Sequence, residues 1–148
     1  MRLLHRALAG ALASFLLLAT TAAIAQQGAS IRLGQSLPLS GPLTELGTEY
    51  RDGAQACFKW INSKGGVHGR AIELVTLDDG YVVERTLGNV KQLLESENVL
   101  ALFGMFGTAN YAALLPLLNE QAIPSVAPYT GSDGLRAQKS PTTFWLRA

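Results

Sequence analysis

The stretch LFGMFGTAN, from Leu102 to Asn110, joins an apolar segment to a glycine-rich turn and then to a helical pattern. Gly104 and Gly107 let the backbone bend sharply and leave its N–H groups uncovered. Thr108 follows at a position where its side chain can cap the helix. Since a helix N-terminus also carries about half a positive charge, the turn predicts a site for an anion of carboxylate size.

Two phosphate-binding motifs do not fit this turn. G-M-F-G lacks the G-x-G-x-x-G spacing through which a dinucleotide pyrophosphate approaches the backbone, and no Gly-Lys-Ser/Thr follows as in a P-loop. The sequence therefore predicts no cofactor. A purely structural interpretation of the turn stays open, in which the glycines only permit the bend and Thr108 only caps the helix.

A second polar turn, APYTGSDGLR, follows the next strand-like segment. Tyr129 offers a ring face with a hydroxyl, and Thr130 offers a further hydroxyl for hydrogen bonding. If both turns lie at one edge of a sheet, these side chains point into the same cleft. A structural turn without a ligand is the alternative.

The candidates for catalysis or metal binding are weak. Asp78 and Asp79 form an acid pair, but adjacent residues at a strand end point to opposite faces, so one of them is expected to cap the next helix instead. His68 lies in a glycine-rich turn and has no histidine partner for zinc in the mature chain. Ser40 does not follow the G-x-S-x-G pattern of a nucleophile elbow. The sequence predicts neither an enzyme nor a metal site.

Cys57 is the single cysteine, so an intramolecular disulfide is excluded. It lies on the apolar side of the helical pattern DGAQACFKWI and is expected to be a small buried hydrophobe, not a nucleophile. Lysine and arginine are scattered singly among acids, without the basic patch that nucleic acids require. Core burial must therefore hold the fold together, and no nucleic-acid partner is predicted.

The elements that must position these turns alternate between strand and helix. Short apolar runs predict the strands, and apolar residues at three- and four-residue spacing predict the helices. The predicted strands cover 31–37, 71–77, 99–103, 124–127 and 143–147, and the predicted helices cover 45–63, 83–95 and 109–120, with a short helical turn at 132–137. This alternation predicts an α/β fold with a doubly wound parallel sheet. Such sheets bind ligands at the carboxyl ends of their strands, where these turns lie.

The start of the chain has the features of an export signal. Arg2 and Arg6 give a positive start, Leu8 to Ala19 form an uncharged apolar run, and Ala23-Ile24-Ala25 matches a signal-peptidase site. A membrane anchor is the competing interpretation, but the run is shorter than the roughly 20 residues of a bilayer span. Residues 1–25 are thus predicted to be removed. The mature chain, from about Gln26, keeps ten of the twelve basic residues against eleven acidic ones and has a net charge of −1.

Beyond the signal, the chain resembles a known family. The resemblance is carried by IRLGQSLPLSGPLTELGTEYRDGAQACFKWINSKGGVHGRAIELVTLDD, ALFGMFGTAN and IPSVAPYTGSD. These segments contain the ordered motifs S-G-P, G-x-x-x-x-D-G-A, N-x-K-G-G-x-x-G and L-D-D, which are specific as a set. Over Ile31 to Ala148 the chain resembles the start of the periplasmic binding proteins for branched-chain amino acids and related solutes, which feed ABC importers.

The resemblance implies a two-lobed clamshell receptor that grips its ligand with the turns after the third and fourth strands. Carried onto this chain, the implied ligand-binding residues are Phe106, Gly107, Thr108, Tyr129, Thr130 and Leu46. Thr108 matches the hydroxyl residue that holds the ligand carboxylate. Leu46 matches a position that is aromatic in some amino-acid binders, so leucine-type specificity does not follow from the resemblance.

Two further positions depart from the family pattern. Some amino-acid binders of this family carry a disulfide near the second and third strand ends, where Tyr81 and Gly107 stand in this chain. Tyr129 is bulkier than the small residue often found at its position, which indicates a different ligand shape.

The resemblance also implies a function. The predicted protein is the periplasmic solute-binding component of an ABC importer, which binds a branched-chain amino acid or a related small carboxylate or amide. Its partners are that ligand and the transporter permease, through which alone it meets the membrane. A ligand-sensing domain of a receptor or regulator is the alternative. Because a clamshell needs two lobes, residues 26–148 are interpreted as the N-terminal part of one lobe, with the second lobe missing.

Overall fold

Strands and helices alternate along the chain in a computed structural model, which describes residues 28–146. The elements are β1 (Ile31–Leu37), α1 (Thr44–Ser63), β2 (Ile72–Asp78), α2 (Val83–Glu95), β3 (Ala101–Phe103), α3 (Thr108–Glu120), β4 (Ser125–Val126), α4 (Asp133–Arg136) and β5 (Thr143–Phe144). The predicted export signal lies outside the described residues. Among the described helices, none combines the length and apolar character that crossing a bilayer requires.

The strands form one parallel sheet in the order β2-β1-β3-β4-β5. β1 pairs with β2 along its whole length, from Ile31 opposite Ile72 to Leu37 opposite Asp78. On its other side β1 pairs with β3, so the chain winds outwards in both directions from β1. The predicted doubly wound sheet is confirmed, and ligands of such sheets bind beside this reversal of strand order.

The main core lies between the sheet and helices α2 and α3. Its fully buried apolar side chains are Val90, Leu93, Leu102, Tyr111, Leu114 and Leu118. Gly34 of β1 faces the same core, because a Cβ there would stand 3.1 Å from the Leu93 side chain. Burial of each large apolar side chain stabilises the fold by about 1.5–3 kcal/mol. The packing of α2 and α3 on the sheet therefore contributes much of the stability of this fold.

Helix α1 packs on the opposite face of the sheet. The ring of Phe58 meets that of Phe103 edge-on, with centroids 5.1 Å apart. Asn62 exchanges two hydrogen bonds of 2.8 Å with the backbone of Ile72, which fixes the end of α1 to the start of β2. The prediction that Cys57 is buried is wrong, since its side chain is exposed. Cys57 lies about 100° around the helix from Phe58, at the margin of the face that contacts the sheet.

The outer strands are less covered on the side of α1. Thr143 and Trp145 both contact Tyr111 of α3, so the residues that alternate with them point the other way. Phe144 is 55% exposed and Leu146 is 76% exposed. This face of the sheet therefore presents large apolar side chains to solvent.

Candidate ligand-binding site

The two predicted ligand-binding turns meet at the carboxyl edge of the sheet. Pairing of β3 with β4 continues past both strands, because the Tyr129 N–H donates to the Met105 carbonyl at 2.8 Å and the Gly107 N–H donates to the Tyr129 carbonyl at 3.1 Å. A parallel bridge joins Phe106 to Tyr129. Their rings consequently stack, with centroids 4.8 Å apart and 15° between the ring planes.

The N-terminus of α3 opens onto this edge. Gly107 is the N-cap, with a φ of 95°, and no side chain caps the helix. The prediction that Thr108 caps the helix is therefore wrong, since Thr108 is the first helical residue. The N–H groups in the first turn of a helix have no intrahelical carbonyl to bind. A bound anion can satisfy them and gains from the helix dipole.

The hydroxyls of Thr108 and Thr130 meet across the two turns, with their oxygens 2.8 Å apart. Thr130 is buried and its hydroxyl oxygen also accepts the Ser132 N–H at 3.2 Å, whereas Thr108 is exposed. A threonine hydroxyl has one hydrogen to donate. When Thr130 gives its hydrogen to Thr108, the hydrogen of Thr108 is available to a ligand. This pair therefore holds an exposed donor beside the helix N-terminus.

An aromatic cluster, made of Tyr50, Tyr81, Phe106 and Tyr129, surrounds the turn after β3. Phe106 is its centre and is only 5% exposed. Tyr50 lies 6.4 Å from Phe106 and 4.9 Å from Tyr129 between ring centroids, and its hydroxyl donates to the Ala127 carbonyl at 3.2 Å. Burial raises the pKa of Tyr50, and the neighbouring Tyr129 raises it further, so this phenol stays a hydrogen-bond donor at neutral pH.

Tyr81 covers the turn after β3 from the end of β2. A Cβ on residue 107 would lie only 2.3 Å from Cε2 of Tyr81, so the ring occupies space that only glycine leaves open. Its centroid stands 6.1 Å from that of Phe106, in an edge-on contact. Tyr81 has a φ of 65° and is 40% exposed. Where the resemblance places a disulfide in some relatives, this chain has a tyrosine ring lying on a glycine.

The buried acid Asp79 ties these turns together. It accepts the Ser36 hydroxyl at 2.8 Å, the Thr86 hydroxyl at 2.9 Å and the Tyr81 N–H at 2.8 Å. The Thr86 oxygen in turn accepts the side-chain amide of Asn110 at 2.7 Å. This chain of hydrogen bonds joins the first turn of α3 to the turn that carries Tyr81, and so positions both sides of the site.

The other acid, Asp78, organises the turn after β1. It accepts the N–H groups of Leu39, Ser40 and Gly80 at 2.8, 3.1 and 2.9 Å, and also binds the Ser40 hydroxyl and Arg85. Burial alone would raise the pKa of Asp78, but these hydrogen bonds outweigh it and hold the pKa well below its usual value.

The prediction that one of the two acids caps the next helix is wrong. The N-cap of α2 is Val82, and no side chain caps it. Asp78 instead accepts the N–H of Leu39 in the turn after β1, and Asp79 accepts the hydroxyls of Ser36 in β1 and Thr86 in α2. Within residues 28–146, no three or more histidine, cysteine or acidic side chains come together as a metal site.

All but one of the predicted ligand residues come together in direct contact. They are Phe106, Gly107, Thr108, Tyr129 and Thr130. Leu46 lies in the first turn of α1, one turn before Tyr50, with 49% of its surface exposed. Tyr50 and Asn110 were not predicted as site residues. Tyr50 follows Leu46 by four residues and so lies on the same face of α1, and this spacing could have indicated Tyr50 as a site residue.

Similarity to known proteins covers the whole sheet and its helices. The family model described as "Periplasmic binding protein" matches residues 30–148. A curated relative, Leu/Ile/Val-binding protein homolog 7 of Brucella abortus (strain 2308), is 34% identical over 106 residues, which are 72% of this chain and 26% of the relative. The chain thus spans about a quarter of the length of this curated relative.

Two solved structures are similar in fold. A substrate-binding periplasmic protein from Ralstonia solanacearum is 37% identical with a TM-score of 0.75, over 80% of this chain and 34% of the other. A solute-binding protein of an ABC transporter from R. palustris, solved in complex with benzoate, is 27% identical with a TM-score of 0.68, over 78% of this chain and 32% of the other. The architecture of the sheet and its helices is shared with both.

Proposed function

This chain belongs to the periplasmic binding protein family, and on that premise we propose that it captures a small carboxylate solute in the periplasm for an ABC importer. The family is one of binding proteins and not of enzymes. The solute is a branched-chain amino acid or a related small carboxylate or amide, and the partner is the importer's permease. The name of the Brucella relative and the fold shared with the R. palustris protein support this proposal.

The observation that carries the proposal is the start of α3. Gly107 leaves the helix without a side-chain cap, and Thr108 presents a hydroxyl held by Thr130 at 2.8 Å. A carboxylate placed here accepts the Thr108 hydroxyl and N–H groups of the first helical turn. Charge-assisted hydrogen bonds of this kind contribute about 1.5–3 kcal/mol each.

Capture makes and breaks no bond. The carboxylate exchanges its water for the hydroxyl and N–H donors of this edge, and the second lobe of the family's clamshell closes over the far side of the solute. Closure is a shift of population toward a state that the ligand binds more tightly. This chain spans only 26% of the Brucella relative, so closure by a second lobe is itself part of the proposal.

An amide-resolved NMR titration of the purified chain tests the proposal. Leucine and benzoate serve as probes, and the methyl ester of each serves as its matched uncharged control. We expect each carboxylate to shift the amide signals of Thr108, Ala109 and Thr130, and each ester to shift them far less. Equal shifts from the esters, or shifts confined to other parts of the chain, would contradict a carboxylate site at the start of α3.

A further inference from the structure

Tyr81 forms an exposed aromatic surface beside the proposed carboxylate site. Its ring lies against Gly107, one residue before Thr108, and 40% of its surface is open to solvent. Phe106 supports it edge-on at 6.1 Å and is itself stacked on Tyr129 at 4.8 Å. The exposed ring therefore has a rigid aromatic backing.

Tyr81 is also held from its backbone. Its N–H donates to the buried carboxylate of Asp79 at 2.8 Å, and the same carboxylate binds Thr86, which holds Asn110 in the first turn of α3. The ring and the helix start are thus positioned by one hydrogen-bond network. A surface held in this way loses little conformational freedom when a ligand binds to it.

We propose that the solute is an aromatic carboxylate, whose ring packs against Tyr81 while its carboxylate binds at Thr108. This inference rests on the proposed function, because the carboxylate contact places the ring. The Tyr81 ring lies against Gly107, the residue before Thr108. A ring bonded directly to a carboxylate, as in benzoate, would therefore lie beside Tyr81 when the carboxylate binds at Thr108. An aromatic ligand gains edge-to-face or offset-stacked contact with such a wall beyond the area that it buries.

Both acids next to Tyr81 are engaged within the fold, so neither is a free acceptor for the ammonium group of an α-amino acid. The ammonium group of an amino acid needs an anionic or carbonyl acceptor near the carboxylate. Asp79 is fully buried and accepts from Ser36, Thr86 and Tyr81, and Asp78 is bound by Arg85, Ser40 and backbone N–H groups. Both carboxylates next to Tyr81 are therefore already used within the fold.

Competition between benzoate and cyclohexanecarboxylate tests the inference on the wild-type chain, because the two ligands share their charge and approximate size. Binding is followed by saturation-transfer NMR at low protein and millimolar ligand concentration. We expect benzoate to bind about three- to tenfold more tightly than cyclohexanecarboxylate, and leucine to bind more weakly than benzoate. Equal affinity for benzoate and cyclohexanecarboxylate, or tighter binding of leucine, overturns the inference.

Single substitutions test whether the preference for benzoate over cyclohexanecarboxylate comes from the Tyr81 ring. Tyr81→Leu should abolish the preference for benzoate, whereas Tyr81→Phe should keep it. Trp60→Leu is the control, since Trp60 is 63% exposed near the far end of α1 and its loss should change nothing. If carboxylates bind through Thr108 but Tyr81→Leu leaves the preference intact, the inference fails and the proposed function stands. If neither benzoate, cyclohexanecarboxylate nor leucine binds, both fail.

Discussion

Replacing Gly107 by alanine places a methyl group where the Tyr81 ring now lies. The new Cβ would stand 2.3 Å from Cε2 of that ring, well inside the roughly 3.5–4.0 Å of a carbon–carbon contact. The ring must therefore move by more than about 1 Å, and overpacking of this kind costs about 1–3 kcal/mol. With φ at 95° and ψ at 142°, residue 107 has a conformation that side-chain-bearing L-residues rarely adopt, which adds a backbone cost of about 1–3 kcal/mol. We expect Gly107→Ala to lower the free energy of unfolding by about 2–6 kcal/mol.

A double-mutant cycle separates the two contributions. Gly107→Ala, Tyr81→Ala and the double variant are unfolded with urea and compared with the wild-type chain. In the Tyr81→Ala background the ring is gone, so Gly107→Ala should cost only the backbone share of about 1–3 kcal/mol. If Gly107→Ala costs the same in both backgrounds, the ring does not occupy the space over Gly107, and the account of this contact is wrong.

Three further predictions concern the rest of the chain. The folded pKa of Asp78 lies below its unfolded value of about 3.9, so its carboxylate stabilises the fold above that pH and loses this effect as the pH falls towards the folded pKa. Asp78→Asn should therefore cost about 2 kcal/mol at neutral pH and progressively less in acid, whereas a cost independent of pH in thermal melts would contradict this. Exported protein should begin at or next to Gln26 on N-terminal sequencing, and a start at Met1 would refute the signal. Residues 26–148 alone should be poorly soluble because Phe144 and Leu146 are exposed, so Leu146→Lys should raise solubility, while a wild-type chain that stays monomeric at high concentration would argue against it.

Elements with a strong local pattern were predictable from the sequence. Helix α2 was predicted with the bounds Val83–Glu95 that it has, because apolar residues at helical spacing are bounded by clear breaks. Strands β4 and β5 are shorter than predicted, at Ser125–Val126 and Thr143–Phe144. Their length depends on where the neighbouring strand stops offering hydrogen bonds, which an apolar run does not reveal.

Details of the site depend on contacts between distant residues. The sequence indicated that Thr108 lies at a helix start, but its hydroxyl binds Thr130, twenty-two residues away, and does not cap the helix. The approach of Tyr81 to Gly107 arises because β2 and β3 flank β1 and both turns lie above its end. No spacing rule within one element encodes such contacts. Local sequence therefore predicts which turns form the site, and packing decides which atoms face one another.

The most direct test of a carboxylate site at the start of α3 is the affinity of Thr108→Val for benzoate and leucine, measured beside Thr108→Ser and the wild-type chain. Valine removes the hydroxyl at nearly constant shape, whereas serine keeps it. We predict that Thr108→Val binds its best carboxylate about ten- to a hundredfold more weakly, and that Thr108→Ser stays close to wild type. Thermal melts without ligand should show a loss of about 1 kcal/mol for the valine variant, from the missing bond to Thr130. Unchanged affinity in Thr108→Val, with the same loss in melting, would show that the hydroxyl serves only the fold and would contradict the proposed site.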